Sequence, residues 1–254
     1  MKTSLKKFTF RELHDEEELI KFMELRYNKY LNSPMKNFLN LNPHKIDIDI
    51  YDLQSRHFGL YCEDEPGGFL RVIYPKTEVY QEAVFNIGCR YNVFCANKHS
   101  LKNIENLEYP EFPFISYPEV PGPIRQFYDV YNAKNEKMVE VSRLVLFENA
   151  QGFGKAKFLT ECALVIYVLT CIGSKHAVVN CDARHGRFYQ RYGFYKVENG
   201  EEYHVKERNA NESSLQVLET AESLRTSPVA QEYYETIESM VEEFNTTNEI
   251  TRMI

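Results

Sequence analysis

The stretch from Val139 to Ile172 constrains this chain more than any other. Val139-Glu140-Val141-Ser142-Arg143-Leu144-Val145-Leu146-Phe147 is rich in β-branched and apolar residues and reads as a strand. Gln151-Gly152-Phe153-Gly154-Lys155-Ala156 follows as a glycine-bearing loop. Lys157 to Ile172 is apolar almost throughout, the mark of a buried helix, and Glu161 interrupts it. A second strand, His176 to Cys181, comes next. Ala183 to Tyr192 is a short basic helix ending at Gly193, a C-cap residue. Phe194 to Val197 and Tyr203 to Glu207 read as a final strand pair. The alternation predicts an α/β core. A glycine turn that opens a helix also presents bare backbone N–H groups beside a partial positive charge, which suits a phosphate.

The rest of the chain is arranged around that core. Asp15 to Leu31 predicts a helix, with Leu19, Phe22, Met23, Arg26, Tyr27 and Tyr30 at helical spacing behind an acidic first turn. Asn37 to Asp52 is polar and turn-rich, broken by Pro43. His57 to Cys62 and Phe69 to Tyr74 predict a strand pair around Glu63–Gly68. From 76 to 137 the pattern is poor, and Tyr109 to Pro123 is dense in Pro, Tyr and Phe, so this span reads as an insertion of packed loops, with part of an apolar pocket as the alternative and the aromatic segment Phe112 to Tyr131 as a candidate lining for an acyl chain. The tail, 209–254, reads as a helical extension to a domain spanning 1–208. One helix carries Leu215, Leu218, Ala221 and Leu224. The other, after Pro228, carries Val229, Tyr233, Ile237, Met240 and Phe244.

Charge excludes some functions. The formal net charge is -7, from 30 Lys+Arg and 37 Asp+Glu. The tail holds 9 acids and 2 bases, which leaves 28 of each in the body. A neutral body is not the balance that phosphate-backbone binding requires, so no nucleic-acid partner is expected. No apolar run is long enough for a membrane span, and Met1 to Phe10 lacks the apolar stretch of a secretory leader. The six cysteines, at 62, 89, 95, 162, 171 and 181, form no C-x-x-C pair, and no H-E-x-x-H occurs. They read as free thiols in a cytoplasmic protein with no metal.

Two sets of motifs carry a resemblance. The run Leu144-x-Leu146-x-Glu148-x-x-Gln151-x-x-Gly154-x-Ala156 resembles the core motif of the GNAT acyltransferase superfamily, which wraps the diphosphate of coenzyme A. Glutamate stands where that motif often has proline. Asp182-x-x-His185-x-x-Phe188-Tyr189-x-x-x-Gly193-Phe194 resembles the superfamily's following helix, with aspartate in place of asparagine at a pantetheine contact. The resemblance implies a GNAT-like mixed central sheet flanked by helices. It places an acyl-phosphopantetheine carrier against Leu144, Leu146, Gln151, Gly152, Phe153, Gly154, Lys155, Ala156 and Asp182.

The second set lies mostly upstream. Arg26-x-x-x-Tyr30, Asp49-x-Tyr51-Asp52, Gly68-Phe69-Leu70-Arg71 and Glu140-x-Ser142-Arg143 occur in the order of the acyl-homoserine-lactone synthase motifs, which N-acyl amino acid synthases share in part. The absence of Trp and the fuller C-terminal half favour the amino-acid branch. The resemblance implies a long-chain donor on acyl carrier protein or coenzyme A, and a small amine or amino acid acceptor. Arg26, Tyr30, Asp49, Asp52, Arg71, Ser142 and Arg143 become candidate substrate-binding residues. Arg26 with Asp52, and Arg71 with Asp49, are equally readable as structural salt bridges.

Amide formation from a thioester needs a base for the amine, donors for the thioester oxygen and an acid for the leaving thiolate. Glu140 is the candidate base and Tyr189 the candidate acid. Glu140 precedes Leu144 by four residues, ~13 Å along an extended strand, so it serves an amine approaching from the far side. Arg184, Arg187 and Arg191, with Lys155 and Lys157, form a candidate basic patch for an acidic carrier protein. A generic acetyl-coenzyme A-dependent N-acetyltransferase and a non-catalytic carrier-binding module are the alternatives.

Overall fold

A computed structural model describes residues 5–33, 36, 39–93, 108–134, 136–170, 174–204, 213–218 and 231–254. An eight-stranded mixed sheet runs through it. The strands are β1 (Lys7–Glu12), β2 (Ser55–Cys62), β3 (Glu65–Ile73), β4 (Lys137–Leu146), β5 (Ser174–Asp182), β6 (Tyr195–Lys196), β7 (Ser213–Leu218) and β8 (Glu249–Met253), in the order β6-β7-β5-β4-β3-β2-β1-β8. Only β4 and β5 pair in parallel; every other neighbour is antiparallel.

Six helices occur among the described residues: α1 (Glu16–Leu31), α2 (Glu82–Arg90), α3 (Gly122–Ala133), α4 (Phe153–Thr170), α5 (Gly186–Gln190) and α6 (Gln231–Thr247). The Asp15 carboxylate caps α1 by accepting from the Glu17 and Glu18 N–H groups, and three acids fill its first turn. Helix α4 buries Leu159, Cys162, Val165 and Ile166 on the sheet, while α6 seals the same side with Ile237, Met240 and Phe244. Helix α1 covers the opposite face through Leu19, Phe22 and Met23. The segment 112–124 and α3 extend that second face with Phe112, Phe114 and Ile124.

Several expectations are corrected. Leu215 and Leu218 lie in β7, not a helix; Ser213–Leu218 is buried at every position between β5 and β6. Spacing of three suits a helix face, but a strand buried on both sides shows no alternation to mark it. Ala221, Leu224 and Val229 lie outside the described residues, as do Glu207 and residues 1–4. Residues beyond 208 thus supply two strands of the same sheet, β7 and β8. The partner of β6 is β7 rather than the chain around Tyr203, which makes only an isolated bridge to Ser213. The turn at 63–68 is tighter than read: Glu63 and Asp64 alone turn, with φ of 52 and 67, and Glu65 already belongs to β3. The insertion contains two helices, α2 and α3. Cys62, Cys89, Cys162 and Cys181 are free thiols; Cys95 and Cys171 lie outside the described residues.

Candidate active site

A bulge in β4 builds the site. Arg71 of β3 faces Ser142, yet two residues earlier Phe69 faces Val145, so β4 carries one extra residue there. Arg143 absorbs it with a φ of 55, a left-handed conformation unusual for a non-glycine residue. The side-chain alternation changes phase at that point. Val139 and Val141 face α4 before the bulge, and Leu144 and Leu146 do so after it. Glu140, Ser142 and Arg143 therefore all project to the α1 side, which a regular strand forbids for neighbours. The E-x-S-R run works as one patch only because of the extra residue.

On that face Arg26 comes down from α1, His57 and Arg71 rise from β2 and β3, and three aspartates arrive from the loop 47–52. Arg26 Nε lies 2.6 Å from Asp47 Oδ2 and its Nη2 lies 3.6 Å from Asp52 Oδ2. Arg71 Nη1 bridges Asp49 Oδ1 at 2.7 Å and Asp52 Oδ1 at 3.0 Å, while its Nε donates to Ser142 Oγ at 3.0 Å. Arg143 Nη2 reaches Asp49 Oδ2 at 3.2 Å, and its guanidinium lies over the Tyr30 ring at 5.4 Å. His57 Nε2 is 2.9 Å from Asp52 Oδ1. Three arginines meet three aspartates, so the ion pairs balance. Arg26 and Asp52 are fully enclosed, and their charges are spent within the cluster. Asp49, at 28% exposure, and Arg143, at 13%, are its outer members. The Asp52 carboxyl is held well below the usual range by Arg71 and Arg26 against the penalty of burial, and burial lowers the His57 imidazole.

Glu140 stands beside this cluster and has a different character. It is buried, and the Phe114 N–H donates to its Oε2 at 3.3 Å. Burial raises its carboxyl to about 8, with Arg71 pulling the other way. Near pH 7 it is mainly a neutral acid that can become a base just above neutrality.

Beyond Glu140, which pairs with Val178, β4 and β5 part company. Strand β5 continues to Asp182 against β7, and β4 continues to Leu146 against β3. Among the described residues the β5-facing edge of Val141–Leu146 has no ladder partner. A narrow apolar crevice fills the angle on the α4 side, walled by Val141, Leu144, Leu164, Tyr167, Tyr189 and Phe194. Tyr189 is buried, and burial raises its phenol, which keeps its proton at any physiological pH. Glu140 and Tyr189 thus lie on opposite faces of the sheet, with the gap between β4 and β5 connecting them. Tyr30 acts electrostatically on Tyr189 from the α1 side of that gap.

The glycine loop lies at the open end of the gap. Gly152 has a φ of 123, and α4 begins at Phe153, so the loop is four residues shorter on its helical side than the sequence reading. Gln151, Gly152 and Gly154 are exposed, and the Ala156 N–H closes the first turn onto the Gly152 carbonyl. A Cβ on Gly154 would meet only Ile254 Cγ2 at 3.4 Å, an ordinary contact. Nothing within the described protein requires glycine there. Asp182 caps the turn Ala183–His185 and holds Arg184, with Arg184 Nη2 2.7 Å from Asp182 Oδ2. Lys157 pairs with Glu161 at 3.5 Å, and Arg187 and Arg191 are exposed. Among the described residues no group of His, Cys, Asp and Glu is placed to hold a metal, and no helix is long and apolar enough to cross a membrane.

The sequence reading gives no site role to Asp47 or His57, and it places Phe114 only within a candidate acyl-lining segment, none of whose residues walls the apolar crevice. The D-x-D-x-x-D spacing of Asp47, Asp49 and Asp52 could have signalled the first. His57, at the inward register of a strand, could have signalled the second.

No family model matches the sequence, and no curated protein matches it. Solved structures do. The coenzyme A-dependent acyl-homoserine lactone synthase BjaI with MTA matches with a TM-score of 0.54 at 12% identity, covering 91% of this chain and 90% of that one. The same synthase with SAM and isopentyl-CoA matches at 0.52 and 13% identity, over 88% and 83%. FeeM, an N-acyl amino acid synthase from uncultured soil microbes, matches at 0.50 and 14% identity, over 89% and 98%. This chain has the GNAT acyltransferase fold, as the mixed sheet parted between β4 and β5 and flanked by helices requires.

Proposed function

We propose that this protein is an N-acyltransferase that moves an acyl group from a phosphopantetheine thioester to the amine of a small acceptor, and that the acceptor is an amino acid. One observation carries the reading: a buried carboxyl and a buried phenol face a single gap in the sheet from opposite sides, with an exposed glycine turn at its mouth.

Each part has a task. The N–H groups at the start of α4, with Gly152 and Gly154, receive the carrier's phosphate. The pantetheine arm lies between β4 and β5, and the unpaired edge of Val141–Leu146 offers N–H groups to the thioester oxygen as it gains charge. The acyl chain enters the crevice walled by Leu164 and Tyr167. The acceptor comes from the α1 face. Asp49 and Arg143, the outer pair, take its ammonium and carboxylate. Arg26, Asp52 and His57 frame that pair and touch no substrate. Glu140 removes the amine proton once ionised, the nitrogen attacks the thioester carbon, and Tyr189 returns a proton to the departing thiolate. The amide bond forms as the carbon–sulfur bond breaks, and no acyl-enzyme intervenes.

The apolar walls of the crevice suit a hydrocarbon chain, the resemblance to the lactone-synthase motifs favours a long one, and exposed Arg187 and Arg191 favour an acidic carrier protein as its bearer. The test is single-turnover release of free thiol from acyl carrier protein and from acyl-coenzyme A, with a panel of amino acids. Amide product with a defined acceptor supports the reading. Thiol release that ignores the acceptor defeats it.

A further inference from the structure

The segment between Tyr109 and Val120 has no periodicity and no place in the chemistry above. It is nevertheless fastened twice. Gln54, fully buried, donates from Nε2 to the carbonyls of Tyr74 at 2.7 Å and Glu111 at 2.8 Å, and accepts from Tyr109 Oη at 2.7 Å. Arg125, in the first turn of α3, donates to the carbonyls of Ile115 at 3.4 Å, Val120 at 3.3 Å and Tyr117. A planar guanidinium with five donors is suited to gather three turn carbonyls, which a lysine cannot match.

Between the fasteners lies the single 3-10 turn Pro113-Phe114-Ile115. Its Phe114 N–H makes the bond to Glu140 Oε2 at 3.3 Å. The Phe112 and Phe114 rings stack at 5.9 Å, both buried, and Tyr128 meets each edge-on. This aromatic wall stands between Glu140 and solvent on the α3 side.

We propose that the clamped segment is the positioning element of Glu140, and that Arg125 sets the pH at which this carboxyl ionises by holding Phe114 over it. Arg125 makes its hydrogen bonds to the segment and none to Glu140. Its effect on catalysis rests on the acyl-transfer reading; its effect on the carboxyl does not. Other groups also act on Glu140. Arg71 from β3 and Arg143 from β4 favour its charged form, and Asp49 from the loop opposes it. The phenols of Tyr51 and Tyr203 also interact with it. Tyr51 is tied to the segment through Ser116 and Tyr203 feels the Arg125 charge, so Phe114→Ala, which leaves both contacts in place, separates the effect of the ring from theirs.

The experiment is a cycle of four chains, the wild type, Arg125→Ala, Glu140→Gln and the double variant, whose melting temperatures are followed from pH 5 to 9. In the wild-type background the gap opened by Glu140→Gln widens with pH. With Arg125→Ala it should shrink at least twofold, and the acid-limb midpoint of the transfer rate should fall by about one pH unit. Arg125→Lys should recover part of both. Should Arg125→Ala not fold, Phe114→Ala, which keeps the N–H and removes the ring, takes its place in the cycle. A gap that survives undiminished overturns the proposal whatever the activity. A gap that shrinks in a chain unable to transfer acyl groups upholds the proposal and removes the functional reading alone.

Discussion

Replacing Glu140 by Gln should make the protein both more stable and less active, with the two effects tied to the same proton. The folded carboxyl titrates at about 8 rather than at its ordinary 4.5, chiefly because burial penalises the charge. Between those values the folded chain keeps a proton that the unfolded chain has released. Stability is then full below the unfolded value and falls as pH rises through the folded one. The interval corresponds to a ceiling of ~5 kcal/mol at ~1.4 kcal/mol per pH unit. Gln preserves the shape and the acceptor for the Phe114 N–H but has no charge to release. The two proteins should melt together near pH 5, and the variant should be the more stable by up to roughly 10–20 °C at pH 9, at ~2–4 °C per kcal/mol for a chain of this size. Turnover should fall by ~100-fold or more at pH 9, where the wild-type carboxyl is ionised, and the two rates should converge towards pH 5, where it is protonated. Differential scanning fluorimetry across that range, with rates measured in the same buffers, checks both. Melting curves that stay parallel from pH 5 to 9 would refute the argument, because Glu140 would then be ionised in the folded protein throughout.

Three other expectations follow from the gap and its mouth. Gly154→Val should leave the melting temperature within a few degrees, since a Cβ there meets only Ile254 Cγ2 at 3.4 Å, yet calorimetry should show coenzyme A binding weakened at least tenfold. Tyr189→Phe should reduce turnover by ~10- to 100-fold with little change in KM, read by steady-state kinetics, because the variant lacks the proton for the leaving thiolate. Charge reversal at Arg187 and Arg191 should raise KM for acyl carrier protein in a salt-sensitive way and leave KM for acyl-coenzyme A within twofold, as kinetics over a range of ionic strength would show.

The core was legible because its physics is local. The β4 strand, the glycine turn and the apolar α4 each carry a periodicity or composition that admits few alternatives, and α6 shows its buried stripe of Ile237, Met240 and Phe244. The strand β7 was not legible. Ser213–Leu218 is buried on both faces, so neither alternation nor a polar side marks it, and its leucine spacing imitates a helix. The edge strand β8 and its neighbour β1 are only five and six residues long, and β8 forms by pairing with β1, more than 200 residues away. At the site, the motif residues were found but their division of labour was not. Spacing alone cannot separate enclosed Arg26 and Asp52 from half-exposed Asp49, because the depth of each is set by how α1 and the loop 47–52 pack on the sheet. The partnership of Phe114 with Glu140 joins residues 26 apart through an insertion, a contact that no local pattern encodes.

The central claim is that a thioester and an amine meet in the gap between β4 and β5. Incubating the protein with a long-chain acyl carrier protein and single amino acids, and following the products by mass spectrometry, tests it most directly. The account predicts an N-acyl amino acid, formed in step with free carrier thiol, from at least one acceptor, at a rate that rises between pH 7 and 9 and collapses in Glu140→Gln. Product formed only from acetyl-coenzyme A, or at a rate unchanged by Glu140→Gln and Tyr189→Phe, would contradict it.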